Sequence, residues 1–150
     1  MGAPFAISLG ATADATGPAE LDGLGTNGII AYTYVSAPCT FKSATLRVSR
    51  GSTRGTDADN KFTLKVCALA DGNYVSDQVD LSDEVVLCDF TGEASIQVTE
   101  HDVVTILPSS PFRLRAGSGV VIVATPTGDP DDDGVLPKVQ LLDWQFEPVT

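Results

Sequence analysis

The chain has 150 residues, and its twenty Asp and Glu outnumber its nine Lys and Arg to give a formal net charge of −11. A chain of this length typically folds as one domain, and a hydrophobic content of 43% is enough for a buried core, which argues against global disorder. The acidic balance argues against nucleic acid as a partner, and no apolar run approaches the ~20 residues that a membrane-spanning helix needs.

The first 27 residues are rich in Gly, Ala and Thr, and only residues 5–9 alternate in the manner of a strand. We predict that residues 1–27 form an extended N-terminal arm that orders against another surface; a flexible terminus is the alternative. No basic residue precedes Lys42 and no long apolar stretch is present, so the segment lacks the pattern of a secretory signal. We therefore expect synthesis in a cytoplasm.

The rest of the chain, residues 28–150, has the pattern of short β-strands separated by turn residues. No ten-residue window predicts a helix, although residues 82–84 could start one short turn. Strands are predicted at residues 28–35, 44–48, 62–66, 85–90, 95–98, 103–107, 112–115, 119–124 and 139–146. Because the connections are too short for crossover helices, we expect an all-β, antiparallel two-sheet sandwich of the jelly-roll type.

The three cysteines are widely spaced and form no CxxC pair, which gives little support to a zinc site. We interpret Cys39, Cys67 and Cys88 as small buried thiols. A disulfide between Cys67 and Cys88 on neighbouring strands is the alternative, and it would require an oxidising compartment.

No pattern of catalytic residues is recognisable. His101 is the only histidine, so a Ser–His–Asp arrangement would have to use it, but its surroundings are typical of a polar connection between strands. No GxSxG, HExxH or phosphate-binding glycine loop occurs. We assign Trp144, in an apolar closing strand, to packing. The prediction is a protein without catalytic residues and without a cofactor.

The most acidic loop lies between Gly128 and Gly134. Asp129, Asp131, Asp132 and Asp133 are weak candidates for calcium ligands, because closely spaced carboxylates can supply several of the six to eight oxygens that calcium takes. The loop lacks the EF-hand pattern, and a solvated acidic loop is the alternative interpretation.

Charge is distributed unevenly along the chain. Residues 41–70 hold six Lys and Arg against two Asp and Glu, whereas residues 71–112 hold nine Asp and Glu and no Lys or Arg. Arg47 and Lys65 fall on outward positions of neighbouring predicted strands, so we expect some of the cations to share a face. That face either pairs with the protein's own acids or docks onto an acidic neighbour, including a second copy of the chain.

The segment from Ser109 to Ala124, SSPFRLRAGSGVVIVA, resembles the late-strand pattern of jelly-roll modules, in which a P-F-x-L-x-A-G hairpin leads into the central apolar strand. The alternating residues of the segments at 46–48 and 62–68 are similar to the two strands around the loop of a sugar-binding module. The resemblance covers residues 40–125 and implies the fold.

The overall character of the chain, which is short, acidic and β-rich with an extended arm, resembles that of the capsid decoration (cement) proteins of tailed phages. The resemblance implies a non-enzymatic structural protein of the virion, made in a host cytoplasm. It implies a homotrimer that binds the major capsid protein, with the arm adding a strand by edge pairing. The alternative is a carbohydrate-binding or adhesion module stabilised by calcium at Asp129, Asp131, Asp132 and Asp133; a hydrolase ranks third.

Overall fold

The computed structural model describes residues 5–7, 19–20, 28–54, 61–69, 78–91, 96–127 and 137–149. These residues form strands, bridges and turns, and none of them lies in a helix. No helix long and apolar enough to cross a membrane is therefore found in this part of the chain. The prediction of an all-β fold is confirmed.

The strands form two antiparallel sheets. One sheet contains β1 (Phe5–Ile7), β2 (Ala19–Glu20), β4 (Cys39–Arg50), β8 (Val103–Ile106), β9 (Arg113–Leu114) and β11 (Lys138–Pro148). Its order is β1-β11-β4-β8, with β2 also on β11 and β9 also on β4. The other sheet contains β3 (Gly28–Tyr34), β5 (Lys61–Leu69), β6 (Gln78–Asp80), β7 (Val85–Asp89) and β10 (Gly119–Thr127). Its order is β3-β10-β5-β6, with β7 also on β5.

The core lies between the two sheets because alternate side chains of each strand point inward. On β4 and β11 the buried residues recur in this way, and three register shifts along the ladder mark irregularities in the pairing of the two strands. The largest of the fully buried side chains is that of Trp144, which packs edge-on against Phe41 and at a tilt against Phe146, with ring centroids 6.2 and 6.0 Å away. Trp144 has the packing role that its sequence context predicts.

The central strand β10 is buried on both faces, as its apolar sequence predicts. Val120, Ile122 and Ala124 face the core between the sheets. Val121 and Val123 belong to a second buried cluster, with Cys67 and Leu69 of β5. Because side chains alternate along a strand, this second cluster lies on the outer face of the five-stranded sheet.

The chain crosses between the two sheets of the β-sandwich several times, but β5, β6 and β7 follow one another within the five-stranded sheet. β1 and β2 pair with the same side of β11, and in the same way β6 and β7 share one side of β5 and β8 and β9 share one side of β4. If each such pair is counted as one strand position, the described strands occupy eight positions. Four of these lie in each sheet. This order is consistent with the predicted jelly roll, which stays an interpretation of the connectivity.

Two predicted elements differ from the structure. The strand predicted at 95–98 is wrong, because Ile96 makes only an isolated bridge to Asp89 and residues 97–98 are irregular. The short helical turn proposed from residue 82 is also wrong. Instead, the Ser82 hydroxyl accepts a hydrogen bond from the Val66 amide at 2.9 Å and donates one to the Asp83 carbonyl, which holds the chain against β5.

The predicted arm contributes the two shortest paired segments on β11. Phe5–Ile7 and Ala19–Glu20 are the residues of the 1–27 segment that are described ahead of β3, and both pair with β11. The division of the chain into an arm at 1–27 and a domain at 28–150 stays a prediction.

Gly51 is expected to tolerate no side chain, because an added Cβ would lie 2.8 Å from the Val98 carbonyl oxygen and 3.0 Å from Thr99 Cα. Both neighbours are backbone atoms, so Gly51→Ala forces the two segments apart. We expect a loss of about 1–3 kcal/mol in the free energy of unfolding, measured by urea denaturation. The exposed Ser110→Ala variant is the control and should change it little; equal stabilities would contradict the close approach.

Candidate docking surface

Strand β8 forms an edge of the six-stranded sheet. It pairs with Ala44–Arg47 of β4, and no other strand among the described residues pairs with its far side. A free edge presents unpaired backbone amides and carbonyls, to which another strand can add. Soluble proteins usually block such edges with charged side chains, but no residue from Val103 to Phe112 is charged.

Large apolar side chains are exposed along this edge. Val103 and Leu107 are each 63% exposed and Phe112 is 39% exposed. Val103 lies at the start of β8, Leu107 directly follows it, and Phe112 directly precedes β9, so all three follow the same edge of β4. We call this set, with Thr105, the β8 edge surface.

Two prolines interrupt the edge between β8 and β9. Both strands pair with the same side of β4, first at residues 44–47 and then at residues 39–40. Pro108 and Pro111 lie between them and have no amide hydrogen to donate to the ladder. The intervening residues 107–112 are all exposed. The apolar residues at 107 and 112 are thus presented on an irregular segment beside the sheet.

Two arginines follow the β8 edge surface. Arg113 and Arg115 are exposed, and neither makes an ion pair with a residue in the described part of the chain. Two guanidinium groups without an ion-pair partner among the described residues therefore lie beside the apolar edge.

Three of the six Lys and Arg residues at 41–70 pair with the protein's own acids. Lys42 lies 2.8 Å from Glu147, Lys65 lies 3.2 Å from Asp80, and Lys61 lies 3.9 Å from Asp89. Burial lowers the pKa of Lys65, but its hydrogen bond and attraction to Asp80 outweigh that effect and leave the pKa raised. These contacts support the interpretation of internal pairing.

The expectation that Arg47 and Lys65 share a face is wrong. Arg47 lies on β4 in the six-stranded sheet, whereas Lys65 lies on β5 in the five-stranded sheet. β4 and β5 follow one another in the chain but lie in different sheets, so outward positions on them face opposite sides of the sandwich. Sequence alternation reports the two faces of a strand but not the sheet to which the strand belongs.

His101 is exposed in the turn before β8, and its backbone adopts a left-handed conformation there. Its φ is +76°, and the Asp102 amide donates to the Thr99 carbonyl at 3.1 Å, which closes a four-residue turn. The Arg47 guanidinium lies 2.7 Å from His101 Nδ1, and Glu100 lies 3.7 Å from Nε2. Among the described residues, the ring's polar contacts are with Arg47 and Glu100, so His101 lies in a surface turn with a charged side chain on either side.

The three cysteines are free and buried. Cys88 lies in the core between the sheets, whereas Cys67 lies in the cluster on the outer face of the five-stranded sheet. The two thiols therefore face opposite sides of one sheet, and the alternative of a Cys67–Cys88 disulfide is wrong. Burial raises the pKa of both thiols to about 11 and also raises the pKa of Cys39.

The proposed calcium loop is not tested by the structure. Asp129, Asp131, Asp132 and Asp133 lie outside the described residues. Among the residues that are described, no group of three or more His, Cys, Asp or Glu side chains is placed to hold a metal ion.

The exposed residues of β8 were not recognised in the sequence as candidate site residues. Alternation places Val103, Thr105 and Leu107 on one face and Val104 and Ile106 on the other. Both faces contain apolar residues, so the pattern does not say which one is buried. The absence of charge from residue 103 to residue 112 was the available signal.

Comparisons with known proteins identify no family for the chain. No protein-family model matches it, and no curated protein matches it in sequence. Among solved structures, it is similar to a chain in the structure of infectious bursal disease virus Gx strain, with a TM-score of 0.36 and 7% sequence identity. The match covers 98% of this chain and 32% of the viral chain, so the protein spans about a third of that chain's length. Neither fold nor function is inferred from this match.

Replacement of His101 by glycine is expected to stabilise the protein. Glycine adopts a positive φ without the steric cost that a Cβ imposes, and that cost is about 1 kcal/mol at such a position. The exposed contact with Arg47 is lost but contributes little. Urea denaturation should therefore show a gain of about 1 kcal/mol for His101→Gly. Glu100→Gly, at the preceding turn position, should lower stability; a loss in both variants would contradict the interpretation.

The native thiols are expected to resist alkylation. A pKa of about 11 for Cys67 and Cys88 lowers the thiolate fraction near pH 8 about a hundredfold below that of an ordinary thiol, and burial blocks access. Mass spectrometry after iodoacetamide treatment should show no labelling of the folded protein and three labels after unfolding in guanidinium. Rapid labelling of the folded protein would contradict the buried placement.

Proposed function

We propose that this chain is a non-enzymatic structural protein of a virion, a decoration or cement subunit that binds the major capsid protein and stabilises contacts between capsomers. The observation that supports the proposal is the β8 edge surface, an uncharged strand edge with large apolar side chains exposed to solvent. Edge strands of this composition pair with other chains unless they are covered. Such a surface is suited to binding a partner and not to catalysing a reaction.

Burial of these side chains is sufficient to hold a partner. Complete burial of a Val, Leu or Phe side chain contributes roughly 1.5–3 kcal/mol. Leu107 and Val103 are both 63% exposed, so more than half of this gain is left for an interface. Backbone hydrogen bonds to an added strand would fix the register and orientation of that strand in the contact.

The charges beside the surface select the partner. Arg113 and Arg115 favour an acidic surface, and the chain's own net charge of −11 makes a second copy one such surface. The two edges of the six-stranded sheet differ, since β8 forms one and β1 and β2 lie at the other. A contact between unlike edges is heterologous, and heterologous contacts generate rings when the rotation closes. We therefore include a homotrimer in the proposal.

The location of the protein tests the proposed function. Purified virions from the source of this chain are disrupted in steps, and an antibody against the folded protein follows it through each fraction. Immunogold labelling of intact particles should place it on the outer surface. Its presence only in particle-free fractions would contradict the proposal, as would turnover of a glycan substrate.

The β8 edge surface should be needed for attachment to particles. Leu107→Ser together with Phe112→Ser removes exposed apolar area without adding charge. We expect the apparent affinity for particles from which the native protein has been removed to fall at least tenfold, about 1.4 kcal/mol. Co-sedimentation across a concentration series measures the affinity. Leu142→Ser is the matched control, because Leu142 is also exposed but lies on β11. Equal loss in the control, or no loss in the test variant, would contradict docking through β8.

A further inference from the structure

The edge of β11 that faces away from β4 is a site to which strands add. Phe5–Ile7 pairs antiparallel with residues 144–146, and Ala19–Glu20 pairs antiparallel with residues 138–139. β4 occupies the opposite side of β11 over the same residues, so both short strands lie on one edge. The two strands also run in the same direction along it.

The short strands do not form one continuous ladder. Residues 8–18, eleven in number, separate Ile7 from Ala19 in the chain, whereas the four residues 140–143 separate their partners Trp144 and Val139. A continuous strand would cross this interval with four residues. Among the described residues, β1 is paired over three residues and β2 over two, whereas β4 pairs with the other side of β11 along its whole length.

The paired part of the edge borders the aromatic core. Phe5 is the register partner of Phe146 and Ile7 that of Trp144, and these two β11 side chains are fully buried against Phe41. The backbone edge beside them is where an added strand covers the sheet most effectively. The described pairing of β1 with β11 covers three residues, so these three residues supply few backbone hydrogen bonds to their own chain.

We propose that the β1 segment, Phe5–Ile7, is exchanged between copies of this chain, so that it pairs with β11 of a neighbouring copy. An identical chain brings the same segment and forms the same register, so exchange in a closed ring preserves every pair and links the copies. Residues 1–13 carry no charged side chain, so the segment approaches a second chain of net charge −11 without side-chain repulsion. The inference rests on the self-association included in the proposed function.

Cysteines placed on register partners test the exchange. Ala6 and Gln145 are partners, and opposite residues of an antiparallel pair lie about 4.5–5.5 Å apart at Cα, within the range of a disulfide. One chain carries Ala6→Cys and a second, tagged chain carries Gln145→Cys. The two are co-expressed and treated with diamide, which takes up the two hydrogens as the S–S bond forms. Because each chain has one new thiol, a bond between these positions can form only between copies.

We expect a disulfide-linked pair of unlike chains on a non-reducing gel, and multimers when one chain carries both substitutions. The native cysteines are buried and should not compete. Ala6→Cys with Gln140→Cys is the out-of-register control and should give no product, since Gln140 lies five residues away along β11.

Linkage only within the doubly substituted chain would overturn the exchange, and so would no linkage at all. Attachment to particles is measured separately with the Leu107 and Phe112 variant. Failure of the exchange is therefore distinguished from failure of the proposed function.

Discussion

The antiparallel pairing of β4 with β11 is the interaction on which the rest of the structure depends. The two strands are the longest in the fold, and their pairing runs the length of both with three register shifts. Their inward side chains include Phe41, Trp144 and Phe146, which form the aromatic part of the core. Loss of this ladder would remove the aromatic core and also the strands to which β1, β2, β8 and β9 attach. The pairing thus determines stability and the position of both edges of the sheet.

The two edges of this central pair have different properties. On the β11 side, two short pieces of the N-terminal segment add to the strand. On the β4 side, β8 and β9 form an edge with exposed apolar residues, with two prolines between them and Arg113 and Arg115 at the end. One edge is paired with two short segments of the chain, and the other leaves apolar side chains exposed. A sheet with unlike edges favours head-to-tail assembly, which the proposed ring and arm exchange both use.

Much of the fold was predictable because each strand can be recognised from the local alternation of apolar and polar residues. Residues 119–124 and 139–146 were recognised from their own pattern, and the burial of β10 on both faces follows from its continuous apolar run. Sheet membership was not predictable, since it depends on long-range pairing, and for this reason Arg47 and Lys65 were placed on one face. The docking surface was missed for a related reason: β8 is apolar on both faces, and only the folded chain shows which face meets solvent.

The sheet structure changes the interpretation of how charge is distributed over the molecule. The cations of residues 41–70 do not form one basic face, because Lys42, Lys61 and Lys65 each lie beside an acid from another part of the chain. Surface ion pairs of this kind stabilise the fold only slightly. Arg113 and Arg115, which follow β8, make no ion pair with an acid among the described residues. In the proposed docking, these two guanidinium groups lie beside the exposed apolar edge and would attract an acidic partner.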